Sequence, residues 1–201
     1  MMKNYFKILI VMALINTGCV AQKNSLISNV DAVGKKQPIG DSLLERLQTE
    51  NDIIIAYAVE NFAWIRSMDF HIIAQNNNGW QGYTYHKNLM KNNVGSPTSI
   101  NMVNVDKSAC AALINYITEN KAWTIPGDSG NGFCKDGNKN CNINDAAGLR
   151  LLIITKNGVV NPYYYAPDFY EKCCPDKERG LFLSITKKIQ ALLGAESATD
   201  Q

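Results

Sequence analysis

The chain reads as an α+β protein, a small antiparallel sheet built from hairpins with three or four helices packed on one face. Three observations predict this. Two pairs of apolar or aromatic runs flank turns rich in Asn and Gly, the composition of β-hairpins. Several other stretches place apolar residues at helical spacing behind an Asp or Pro that can start a helix. The chain has 201 residues, room for one well-packed domain and too little to argue for two.

The first stretch is not expected to belong to the fold. Lys3 and Lys7 precede or punctuate an apolar run through Ile15, followed by Thr17-Gly18-Cys19-Val20-Ala21. A basic start, a short apolar core and a small-residue exit make a signal peptide over 1–21. The run is far shorter than the roughly 20 residues that cross a bilayer as a helix. Cleavage after Ala21 fits the exit. Thr17-Gly18-Cys19 also resembles the end of a bacterial lipobox, in which Cys19 is the lipid acceptor, although Asn16 stands where that pattern wants Leu. The expected location is secreted or periplasmic, with lipid anchoring in the envelope as the alternative.

Residues 22–40 are mostly polar and read as a flexible leader, 41–194 as the domain, and 195–201 as a disordered tail. Asp41 caps a helix carrying Leu43, Leu44 and Leu47. Residues 52–66 carry two signals. Ile54, Ala58, Phe62 and Ile65 have helical spacing, whereas Ile53, Ile55, Tyr57 and Val59 alternate. The helical set runs further, so a second buried helix is expected.

The runs 70–74 and 80–85 form a hairpin about Gln75-Asn76-Asn77-Asn78-Gly79, and 99–105 is a short strand. Asp106 caps a helix with Cys110, Leu113, Ile114 and Ile117 inward. Residues 127–148 lack periodicity and read as a loop. Runs 149–155 and 159–165 form a second hairpin about Lys156-Asn157-Gly158, with Pro162 placing its last strand at an edge. Pro175 opens a last helix with Phe182, Ile185, Ile189 and Leu192 inward, stopped by Gly194.

Composition limits function. Loss of Lys3 and Lys7 leaves 18 basic against 18 acidic residues, so the chain lacks the basic footprint of a nucleic-acid binder. At 46% hydrophobic residues it is too apolar to be disordered. Five cysteines remain after Cys19, and an oxidising compartment pairs most of them. Cys134 and Cys141 bracket a polar hexapeptide and are expected to bridge locally. Cys110 then reaches Cys173 or Cys174, and one thiol stays free. The spacing does not match the usual zinc pairs.

No motif specifies a reaction. Gly127-Asp128-Ser129-Gly130 resembles the nucleophile block of chymotrypsin-like serine proteases, but neither His71 nor His86 has that family's setting and two barrels do not fit. Gly40-Asp41-Ser42-Leu43 resembles the block of GDSL hydrolases, which need a buried strand before the serine and a late histidine; both are missing. Asp136, Asn138, Asn140, Asn142 and Asn144 resemble part of a calcium loop, with Cys141 at its glycine and Ala147 at its closing carboxylate. No metal or cofactor is therefore expected.

The expected function is a disulfide-stabilised binding protein without catalysis. Its ligand is a protein or a carbohydrate met by an aromatic face of Trp80, Tyr83, Tyr85, Tyr163 and Tyr165. The alternative is a small secreted hydrolase pairing a Cys or Ser nucleophile with His71 or His86. A third reading is a redox protein using Cys173-Cys174.

Overall fold

A computed structural model describes residues 21–35, 39–61, 66–90, 95–128, 134 and 141–194. The signal segment before residue 21, Cys19, Ser129, most of the calcium-like loop and the tail lie outside the described residues.

The elements run α1 (residues 21–33), α2 (Ser42–Glu50), β1 (Ile53–Asn61), β2 (Ser67–Asn76), β3 (Gly79–Asn88), β4 (Ser99–Val103), α3 (Lys107–Glu119), β5 (Gly148–Thr155), β6 (Val159–Val160), β7 (Tyr163–Tyr165), α4 (Pro167–Cys173) and α5 (Lys177–Leu193). A short 3-10 turn, Ala122–Thr124, follows α3. The seven strands form one sheet of order β4-β3-β2-β1-β5-β6, with β7 also on β5. Every pairing is antiparallel. This is the α+β class expected from the hairpins.

Residues 53–61 are strand, which corrects the helix expected there. β1 pairs with β2 on one side and β5 on the other. From Ile53 to Ala58 no residue is more than 1% exposed. Buried on both faces, the strand has no polar side to produce clean alternation. Burying each Ile is worth about 1.5–3 kcal/mol. Intrinsic helix preferences differ by less than about 1 kcal/mol per residue and are overridden.

The helices cover both faces, not one. Ile53, Ile55, Tyr57, Ile73, Leu151 and Ile153 belong to a first core with α1, α3 and α5. Ile54, Ala56, Ala58, Phe70, Ile72, Ala74, Leu152 and Ile154 belong to a second core with Leu44 and Leu47 of α2. Part of the expected flexible leader is helix α1: Leu26 and Val30, two of its few apolar residues, are fully buried. Its C-terminal end runs onto the sheet. The Val30 carbonyl accepts from Gly34 N–H at 2.6 Å, and Lys35 N–H donates to Val159 O at 3.2 Å.

Both hairpins form as expected. In the first, the loop is Asn77-Asn78 and Gly79 takes the positive φ, +118°. Pro162 splits the last strand into β6 and β7 at a sheet edge. Helix α3 buries the expected Cys110, Leu113, Ile114 and Ile117 behind the Asp106 cap. Helix α4, starting at Pro167, was not foreseen. The last helix begins after Asp176, whose carboxylate accepts from the N–H groups of Glu178 and Arg179, so Pro175 lies one residue outside it. Its seam ends on buried Leu193 rather than Leu192, and Gly194 closes it at φ +64°.

Asp41 ties α2 to the sheet. Its Oδ1 accepts from Leu43 and Leu44 N–H at 3.0 and 3.1 Å, while Oδ2 takes Lys87 Nζ at 2.6 Å and Tyr85 OH at 3.3 Å. Burial works against this carboxylate, but the Lys87 bond and the cap bonds outweigh it and lower its pKa. A lowered folded pKa gives stability that is complete above the ordinary carboxylate range and is lost as pH falls through the folded value. The stability difference between the native chain and Asp41→Asn, from denaturant melts, should therefore be largest near pH 7 and shrink below about pH 4.

Gly158 tests the docking of α1. A Cβ there would lie 2.6 Å from the Val30 carbonyl oxygen and 3.2 Å from the Asp31 Cα. Backbone cannot swing aside as a side-chain end can, so Gly158→Ala should lower stability by about 1–3 kcal/mol. An unchanged denaturation midpoint would show that α1 is not seated on the β5–β6 turn in solution.

Candidate functional site

The cysteines pair differently from the sequence expectation. Cys134 bonds Cys174 and Cys141 bonds Cys173, with Cα separations of 5.7 and 6.1 Å. There is no local Cys134–Cys141 bridge, and Cys110 makes no disulfide. The two bonds tie Cys134 and Cys141 to the adjacent cysteines at the end of α4. Cys141, Ala166 and Tyr170 form a small third core there with Cys134, Ile143, Phe169 and Cys174 around it. The loops are nested, so closing the outer after the inner adds less than its full length suggests. One loop of this size is worth about 3–4 kcal/mol on the chain-entropy account.

Arg179 braces the same corner. It is 3% exposed, its Nε donates to Glu171 Oε2 at 3.2 Å, and its Nη2 donates to the carbonyls of Tyr170 and Cys174. Cys173 and Cys174 are each bonded elsewhere, which removes the vicinal redox pair. Cys110 is fully buried, and burial, with Asp106 adding, pushes its thiol up to about 11. It is no cysteine nucleophile.

The aromatic face is largely occupied by the protein itself. Tyr83 and Tyr85 are 9% and 8% exposed. Tyr85 stacks on Phe70 with centroids 5.3 Å apart, and Tyr83 OH donates to Gln81. Burial raises both phenol pKa values, that of Tyr85 to about 12 with Asp41 contributing. Trp80 is half-buried against the first core. On the far edge, Tyr163 stands on Gly148, where a Cβ would strike its ring at 2.4 Å. The Arg150 guanidinium lies 5.1 Å from the Tyr163 centroid and its Nε donates to the buried Glu60 at 2.5 Å. Tyr165 OH accepts from Ala146 N–H at 3.0 Å and so holds the loop.

The two histidines lie on the first face of the hairpin. His71 stacks on Tyr57, centroids 4.5 Å apart and planes 4° apart, and burial lowers its pKa. His86 Nδ1 is 2.6 Å from Asp69 Oδ1. Sequence reasoning missed Asp69, although counting back from the two-residue turn places it opposite His86. Ser99 of β4 lies opposite His86 on the other side.

The sheet's open side is β4. Four of its five residues are exposed, Ile100 at 43% and Met102 at 71%. Both share the second face with Tyr83 and Tyr85, and Leu89, 37% exposed, follows β3. Val33 of α1 is the other exposed large hydrophobic among the described residues. None of the described helices is long and apolar enough to cross a membrane. Comparison with protein-family models gives no match, and comparison with curated proteins gives none either. The fold and its bonds define a disulfide-stabilised α+β protein.

Under non-reducing digestion, the single peptide that holds Cys173 and Cys174 should be recovered joined to both the Cys134 peptide and the Cys141 peptide. Cys110 should alkylate only after denaturation. Recovery of a Cys134–Cys141 peptide would overturn this arrangement.

Proposed function

We propose that this is a secreted or envelope-located binding protein whose ligand is a polypeptide strand added to the sheet at β4. Its location rests on the signal-like N-terminal sequence and on two disulfides, which persist in oxidising compartments. The observation that carries the binding reading is β4 itself. Its outer backbone groups make no backbone hydrogen bond among the described residues, and Ile100 and Met102 stand exposed beside them. An edge of that kind gives an extended peptide main-chain partners and apolar contacts together.

A carbohydrate has less to bind. Tyr83 and Tyr85 are packed in the second core, Arg150 lies over Tyr163, and Trp80 and Tyr165 are partly buried against the first and third cores, so the rings form no shared open face. A protein strand needs only the edge.

Photo-crosslinking in the native envelope tests this reading. A photoreactive residue at Met102 should give a discrete adduct with a second protein, and one at Val33 should not. Ile100→Lys should remove the Met102 adduct by placing a charge in the apolar contact. An adduct of two copies of this chain, or equal adducts from both positions, would overturn the reading.

A further inference from the structure

The hairpin register and β4 place three residues in one row across adjacent strands: Asp69 on β2, His86 on β3 and Ser99 on β4. Cross-strand pairs project to the same face with Cβ atoms about 4.5–5.5 Å apart. The order is Asp–His–Ser, and the first contact is made, with Nδ1 of His86 2.6 Å from Asp69 Oδ1. A carboxylate accepts, so in this contact Nδ1 is the donor and Nε2 is the ring nitrogen left for another partner. Ser99 is the cross-strand neighbour of His86 on the side away from Asp69, and the two side chains share no hydrogen bond in this structure.

The row is reachable from solvent. Ser99 is exposed, and the His86 side chain is 25% exposed. Helix α5 ends at Gly194 after packing Leu193 over Gly82, four residues before His86 on the same face of β3. Asn101, two residues beyond Ser99, presents its amide on that face.

We propose that Ser99, His86 and Asp69 form an acyl-transfer centre for small or extended esters. This goes beyond strand binding and does not depend on it, because Ile100 and Met102 lie on the opposite face of β4. Ser99 Oγ bonds to the ester carbonyl carbon as its proton passes to His86 Nε2. Collapse breaks the bond to the leaving alkoxide, which departs as the alcohol with that proton. Water then attacks the acyl-serine by the same route, releasing the carboxylic acid and restoring Ser99. Asp69 holds the imidazole tautomer and acts as a positioning residue.

The test uses the full chain with a fluorophosphonate probe, followed by peptide mass mapping and by p-nitrophenyl acetate hydrolysis. The phosphonate should map to Ser99. Ser99→Ala should reduce both signals to background, and as an exposed position it should leave the melting curve unchanged. His86→Ala and Asp69→Asn should slow labelling by about 10²-fold or more. Ser108→Ala, on the exposed start of α3, should label at the native rate. No labelling, labelling that persists in Ser99→Ala, or an unchanged rate in His86→Ala would overturn the proposal. Each of those results leaves the Met102 crosslink to be judged on its own.

Discussion

The rest of the structure depends on β1 having water on neither face. Its alternate residues feed two cores at once, Ile53, Ile55 and Tyr57 on one side and Ile54, Ala56 and Ala58 on the other. A strand in that position needs hydrogen-bonded neighbours on both edges and helices on both faces. β2 and β5 supply the first requirement along nearly the whole strand. Helices α1, α3 and α5 meet the second on the broad face, and among the described residues α2 is the one helix that meets it on the other. That asymmetry explains why so short a helix is anchored so firmly. Asp41 caps it and pairs with Lys87 in the same carboxylate, and Gln48 donates to Thr155 O at 2.6 Å at its other end.

The disulfides solve a different problem. Residues 125–147 contain little that packs by periodicity, and entropy would leave them free of the sheet. Two bonds hold Cys134 and Cys141 at the end of α4, and Arg179 donates to carbonyls near the C-terminus of that helix. A buried guanidinium is tolerable there because Glu171 is its ion-pair partner and the Tyr170 and Cys174 carbonyls accept from Nη2. The corner becomes rigid without a large apolar core of its own.

The sequence was most legible where one face of an element meets water. Asp41, Asp106, the α3 stripe and both hairpin turns stand where pattern and turn chemistry put them. It was least legible where that contrast vanishes. β1 carried helical and strand periods together because neither face is polar. α1 looked like a leader because only Leu26 and Val30 of its polar sequence are fully buried. Cysteine connectivity is a long-range property, and the short spacing of Cys134 and Cys141 favoured the wrong pair. Of the aromatic residues, Tyr83 and Tyr85 kept the shared face that alternation implies, but packing under α2 removed the exposure that stacking requires.

The two edges of the sheet are treated differently, and the difference bears on function. At the far edge, Lys35 N–H covers Val159, Asp128 N–H donates to Tyr163 O at 2.7 Å, Asp128 Oδ2 accepts from Tyr165 N–H at 2.8 Å, and Pro162 offers no donor at all. These are devices that stop a strand from being extended. Burial raises the pKa of the half-buried Asp128, while its bond from Tyr165 N–H works in the other direction. β4 shows none of these devices among the described residues. No proline interrupts it, no lysine lies within it, and its two largest apolar side chains face water. A fold that closes one edge with three hydrogen bonds and a proline has the means to close the other. β4 stays open among the described residues, with Ser99 beside His86 on one face and Ile100 and Met102 on the other, and that contrast between the two edges is the physical ground on which both proposals rest.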